Sequence, residues 1–201
     1  MRTIAIVWCA LAAVGCRSAQ GTAGAPVAAA AVAGDTVRRG YAAADVRFMQ
    51  GMIGHHAQAL EMTTLLKTRT GSDDMRKLAH RIELSQADEI KMMQEWLTNR
   101  GQTLPDPHAH HYGATLMPGM LTQEEMARLA ATKGAEFDNL FLEFMIKHHG
   151  GALVMVEELF SQPGSGQESE INAFASDVDA DQRMEIDRMR AMLERSKELQ
   201  K

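Results

Sequence analysis

With 201 residues, a formal charge of −5 and no basic stripe interleaved with aromatics, the chain excludes nucleic acid as a partner. Its two cysteines, Cys9 and Cys16, lie at the extreme N-terminus, which excludes disulfide frameworks and zinc–thiolate sites from the rest of the chain. Fifteen methionines stand against two tyrosines, two tryptophans and six phenylalanines, an excess that serves equally as core filler or as soft ligands.

Met1-Arg2, an apolar run from Ile4 to Val14, and then Gly15-Cys16 read as an export signal, because the run is too short to cross a bilayer. Ala13-Val14-Gly15-Cys16 resembles a bacterial lipobox, with Ala13 where leucine is usual. The expectation is a lipoprotein signal peptide over residues 1–16, lipidation at Cys16, and a protein tethered in the periplasm or cell envelope. Residues 17–40 are mostly Ala, Gly, Val and small polar residues without periodicity, which predicts a flexible tether. Residues 41–201 are then one domain, long enough for a real core.

Apolar residues at three- and four-residue spacing predict four helices. The first runs from about Ala42 to Thr68 and ends at Thr70-Gly71. The second has Ser72 as its cap and Asp73-Asp74 in its first turn, and ends near Arg100-Gly101. A loop containing Pro105, Pro107 and Pro118 follows. Thr122 with Glu125 makes a capping box for a third helical region, expected to bend at Gly134 and end near Phe160-Ser161. Ser165 with Glu168 makes another such box, opening the fourth.

Met52-Ile53-x-His55-His56-x-x-Ala59-Leu60-x-Met62 recurs ungapped as Met145-Ile146-x-His148-His149-x-x-Ala152-Leu153-x-Met155, and Asp45 and Phe48 match Asp138 and Phe141. Gln86-x-x-Glu89-Ile90-x-x-Met93 likewise matches Gln182-x-x-Glu185-Ile186-x-x-Met189. The repeated element is a helical hairpin, about 45–100 and 138–197. Two such hairpins, each burying one apolar stripe against the other, predict an all-α four-helix bundle.

At about 100° per residue, both histidines of each pair flank the stripe that faces the core. Gln86 and Gln182 fall inside the stripes of their helices, with Glu89 and Glu185 at the edges. Burying such groups unpaired costs on the order of 1–3 kcal/mol each, so they must find partners. One solution is a ligand-free network in which His55, His56, His148 and His149 bond to Glu89, Gln86, Glu185 and Gln182 and fix helix register. The other is a soft or borderline cation held by imidazoles and neighbouring thioethers, with the Gln and Glu side chains supporting them from behind. Two doubled histidine pairs beside methionines favour the metal, and mixed thioether and imidazole favours copper. Ligation needs neutral imidazole, so affinity is expected to fall below roughly pH 6.

These motifs, together with Met117-Pro118-Gly119-Met120 ahead of the second repeat, resemble the exported bacterial family known as domain of unknown function 305 over about residues 41–200. The resemblance implies a ferritin-like four-helix bundle and, as for some members, copper binding in the periplasm. It implies Met52, His55, His56, Met62, Met145, His148, His149 and Met155 as ligands, with Met117 and Met120 as a second locus. The expected cargo is Cu(I), buffered or carried without turnover. The expected partners are the metal ion, the membrane through the lipid anchor alone, and, as a candidate, a copper-handling protein.

Rival readings come from other classes. A ferritin-like di-iron or di-manganese oxidase needs Glu-x-x-His on two helices, and no Glu in this chain has His three residues later. Glu61 also points about 120° away from His55, toward solvent. Neither His-Glu-x-x-His nor Gly-x-Ser-x-Gly occurs, so no enzyme is expected. A structural envelope module that ignores metals is the third reading. His108-x-His110-His111 offers a weak site for Cu(II), Ni(II) or Zn(II) but reads better as a solvated polar loop, and His80 reads as a surface residue.

Overall fold

The structure, a computed structural model, describes residues 40–112 and 115–199. The signal peptide, Cys16 and all of the expected tether of residues 17–40 but its last residue lie outside the described residues. Five α-helices follow in order, α1 (Ala43–Arg69), α2 (Asp73–Asn99), α3 (Gln123–Ala131), α4 (Gly134–Ser161) and α5 (Ser169–Leu199), with a short 3-10 turn at Ala109–Tyr112 before α3. No described helix is long and apolar enough to cross a membrane. α1 packs along α2 and α4 along α5, and the two hairpins meet through α1 and α4. The expected four-helix bundle is therefore formed by α1, α2, α4 and α5.

The caps explain most boundaries. Ser72 Oγ accepts from the Met75 amide at the start of α2, and Gly101, with φ of 64°, follows its last turn. Thr122 and Glu125 form the predicted capping box, but the helix they open is short. Where a bend is expected at Gly134, the chain instead breaks into α3 and α4, and Gly134 adopts φ of 61°, a conformation that favours glycine. The Ser165 box is a second correction. Ser165 Oγ donates to the Leu159 and Gln162 carbonyls at the end of α4, and Glu168 alone caps α5 by accepting from the Ile171 amide at 3.1 Å. The acidic side chain sits at the helix start, where the unpaired amides and the dipole favour it. His80 is exposed, as expected.

The core divides into two apolar clusters. One gathers Met62, Leu66, Leu78, Ile82, Phe137 and Phe141, and the other Phe48, Ile53, Met93, Trp96, Val156 and Val178. Full burial of each such side chain is worth roughly 1.5–3 kcal/mol, so these two clusters supply the cohesion of the bundle. Between them, at mid-height on all four long helices, lies a polar layer: His55 and His56 on α1, Gln86 and Glu89 on α2, His148 and His149 on α4, Gln182 and Glu185 on α5. All but Glu185 are at least nine-tenths buried. The antiparallel arrangement of a duplicated hairpin brings its polar positions to one level.

Asp45 belongs to the repeat for a reason unconnected with this layer. It is fully buried, accepting from the Ala42 amide and from the Gly166 amide at 2.8 Å each, and so ties the start of α1 to the α4–α5 connection.

Candidate metal centre

The two histidines of each pair have different surroundings. His56 Nε2 lies 2.5 Å from Glu89 Oε2, and His149 Nε2 lies 2.6 Å from Glu185 Oε2, one contact inside each hairpin. A carboxylate oxygen accepts, so in both rings Nε2 carries a proton, and in the neutral ring the lone pair is then on Nδ1. Both Nδ1 atoms are buried and have no hydrogen-bond partner among the described residues. Half of the ligand-free network anticipated from the sequence is thus present, the His–Glu half. Gln86 Oε1 and Gln182 Oε1 remain unpartnered.

His55 and His148 do not reach a carboxylate. They meet each other across the α1–α4 contact, with ring centroids 3.8 Å apart and planes inclined by 38°. His55 Nε2 donates to the Pro118 carbonyl at 3.1 Å, which again leaves Nδ1 with its lone pair. His55 Nδ1 and both ring nitrogens of His148 are buried without a partner. Leaving buried polar nitrogens so costs on the order of 1–3 kcal/mol each, and a bound cation would offset it at the His55 Nδ1 and at whichever His148 nitrogen carries the lone pair.

Burial above all, then the neighbouring His56, lowers the His55 pKa to about 3. Burial and the adjoining His55 push His148 well below the ordinary histidine value. Both rings are therefore neutral donors at any physiological pH, and proton competition at His55 sets in near pH 3, well below the pH of about 6 expected from the sequence. The linkage has a definite sign. Between the unfolded value of 6.5 and the folded value, the unfolded chain binds a proton that the folded chain does not, so stability falls as pH drops below 6.5. Urea unfolding of the apoprotein at pH 7 and pH 5 is expected to differ by roughly 2 kcal/mol for each of these imidazoles. A difference unaltered in the His55→Gln, His148→Gln double variant would refute that origin.

Pro118 reaches His55 because the loop between α2 and α3 lies along one face of α1. Gln50 Nε2 donates to the Thr103 carbonyl, and Gln58 makes a reciprocal pair with Leu121, donating at 2.9 Å and accepting at 2.7 Å. The loop comes close because glycines line its path. A Cβ on Gly51 would stand 3.1 Å from Met117 Sδ and 3.4 Å from Met155 Cε, so two of the expected thioethers meet over Gly51. A surface groove lined by Arg47, Phe48, Gly51, Met117, Met155 and Glu158 opens at this point.

Comparison with known proteins gives the family and the fold. The sequence pattern of the family described as "Domain of unknown function (DUF305)" matches residues 45–193. The chain belongs to the DUF305 family. A DUF305 protein from Streptomyces coelicolor, described as secreted, shares 31% identity with a TM-score of 0.64, covering 76% of this chain and 93% of that one. A DUF305 fragment from Deinococcus radiodurans shares 31% identity with a TM-score of 0.66, covering 77% and 98%. CopM in its Cu(II)-bound form shares 25% identity with a TM-score of 0.61, covering 75% and 96%. No curated protein matches the chain.

Within this DUF305 bundle the expected ligands separate into distinct places. Met62 and Met145 lie in one apolar cluster, Met52 and Met155 in the other, on either side of the histidine layer. Met120, expected with Met117 as a second locus, is buried at 4% exposure, whereas Met117 is half-buried at the groove. No trio drawn from the four core histidines brings one nitrogen each within 4.8 Å. Among the described residues, the trio that does so is Glu61, His110 and His111. The loop histidines are a partial correction: His108 and His111 remain exposed as expected, but all three are drawn onto α1 through Glu61 and the His110 side chain is buried. His108 Nδ1 and His111 Nε2 each lie 2.9 Å from Glu61 Oε1. Partial burial pushes the Glu61 carboxyl up, but the hydrogen bonds from His111 and His108 outweigh it and hold it below the ordinary value. The sequence signal for this docking was Gln50, Gly54, Gln58 and Glu61, a small and polar stripe at helical spacing that suits a covering loop.

Proposed function

We propose that this protein is an exported, lipid-anchored copper-binding protein that holds Cu(I) on buried imidazoles and adjacent thioethers, buffering or carrying the ion without turning it over. The observation that carries the reading is the contact of His55 with His148 across the two hairpins, with unpartnered, lone-pair-bearing nitrogens beside a loop that delivers Met117. Neutral imidazole and thioether are the donors a soft or borderline ion selects. A cuprous ion is satisfied by two or three such donors, so it does not need the convergent trio of nitrogens that the core lacks. The groove at Met117 and Met155 gives the ion an approach lined by sulfur. Glu89 and Glu185 orient His56 and His149 from behind, as carboxylates commonly do for metal-ligating imidazoles.

The Cu(II)-bound form of CopM supports copper as the metal, and the secreted relative supports export. Glu89 and Glu185 are each engaged with a histidine of their own hairpin, which argues against a carboxylate-bridged oxidase. The test is anaerobic Cu(I) titration against a chromogenic chelator, on protein purified without a polyhistidine tag, alongside analysis of the metal it carries from the cell. Tight Cu(I) binding is expected. Bound iron or manganese, or indifference to Cu(I), would overturn the reading.

A further inference from the structure

We propose that Glu61, His110 and His111, with His108 hydrogen-bonded to the same carboxylate beside them, form a second metal site, on the outer face of α1, that takes a borderline divalent cation of the Cu(II) or Zn(II) kind. Its chemistry differs from that of the core. Three imidazoles converge on one carboxylate, with His110 and His111 ring centroids 4.3 Å apart and those of His108 and His111 5.8 Å apart. The nearest nitrogen-to-oxygen distances to Glu61 are 2.9 Å for His108, 2.9 Å for His111 and 3.5 Å for His110. Donor atoms held about 2.0–2.1 Å from one ion stand about 2.9 Å apart at a square corner and about 3.4 Å apart along a tetrahedral edge, and one ligand atom each from Glu61, His110 and His111 already lies within 4.8 Å of the others, so a small inward shift of these three completes shared coordination. No sulfur belongs to the set, and nitrogen with anionic oxygen suits Cu(II) or Zn(II) better than Cu(I).

The strongest sign of a ligand is His110. Its side chain is 7% exposed, its Nδ1 is buried without a partner, and its contact to Glu61 is the longest of the three. A polar loop serving only solubility would have no reason to bury that ring. Binding also requires little chemical change. The exposed His111, which now donates to Glu61, only has to carry its proton on the other nitrogen to free a lone pair for the ion, and His110 has an Nδ1 lone pair that nothing among the described residues engages. The ion would clip the loop to α1 six residues before Met117.

The test uses the full chain without a polyhistidine tag, loaded with one equivalent of Cu(II), and read by electron paramagnetic resonance and by competition with Zn(II). The expected spectrum shows hyperfine coupling to at least two nitrogens. His110→Gln with His111→Gln is expected to abolish it and weaken the apparent affinity at least ~100-fold. Glu61→Gln, which keeps the shape of the site, is expected to weaken it at least ~10-fold. His55→Gln with His148→Gln is expected to leave the signal unchanged. A wild-type spectrum of hydrated Cu(II), a signal retained in the His110/His111 variant, or one lost in the His55/His148 variant would overturn the proposal. None of these outcomes bears on Cu(I) uptake by the core.

Discussion

Replacing His55 and His148 together with glutamine should weaken Cu(I) binding by at least about 100-fold while leaving the helical circular dichroism intact. These two rings meet across the hairpins and three of their four nitrogens have no hydrogen-bond partner, so their loss removes donors at the cost of one hydrogen bond, His55 to the Pro118 carbonyl. Glutamine keeps a similar length and its amide brings its own hydrogen-bonding groups, which limits the structural cost. His56 and His149 should behave in the opposite manner. Each is bonded to a carboxylate on its own hairpin, so His56→Gln with His149→Gln should cost on the order of 1–3 kcal/mol per site in urea stability and less in Cu(I) affinity. Chelator competition and urea unfolding on the two double variants separate the roles. If the His55/His148 variant still takes up Cu(I) at wild-type strength, the ion is held elsewhere, with the thioethers at Met117 and Met155 as the nearest donors.

Gly151→Ala should be among the most damaging single methyl additions at the described glycines. A Cβ at Gly151 would stand 1.9 Å from the Pro118 oxygen, 2.4 Å from its carbonyl carbon and 2.6 Å from Gly119 Cα. All three are backbone atoms, so no side-chain rotation relieves the overlap. Gly119 cannot yield, because it holds φ of 76° and its own Cβ would meet the Lys147 oxygen at 2.6 Å. The Met-Pro-Gly-Met turn must therefore lift away from α4, and the His55 to Pro118 hydrogen bond must break with it. Overpacking typically costs 1–3 kcal/mol, and a clash against two backbones belongs at the upper end, near 3 kcal/mol. In a domain of this size that is roughly a 6–12 °C fall in Tm. Because Met117 moves with the turn, Cu(I) affinity should fall as well, whereas Gly71→Ala, where a Cβ meets nothing within 4 Å, should leave both near wild type. A Gly151→Ala protein with unchanged Tm would show that the turn is not seated on α4.

Glu61 shows where helical arithmetic stops. Its direction away from His55 was correct, but an angle on one helix does not reveal what covers that face. The partner came from residues 108–111, some fifty positions along the chain, through a turn with no period to read. Met120 is a loop residue in the same position: the bundle buries it, while Met117, three residues before it, stays half-buried at the groove. At Ser165 the sequence carried a valid capping signature, yet the serine was taken by the carbonyls of the preceding helix end and the glutamate capped alone. A local motif decides a helix start only when no neighbouring end competes for its donor.

The duplicated hairpin, the helical period and the inward placement of His55, His56, His148 and His149 were written in the sequence, because a repeated pattern at fixed spacing imposes its own geometry on every copy. Which histidine meets which was not. Pairing His55 with His148, and His56 and His149 with separate glutamates, depends on how two hairpins rotate against each other, and near-identical motifs carry no information about that rotation. Only side-chain packing between α1 and α4, and a loop threaded over Gly51 and Gly151, selects it.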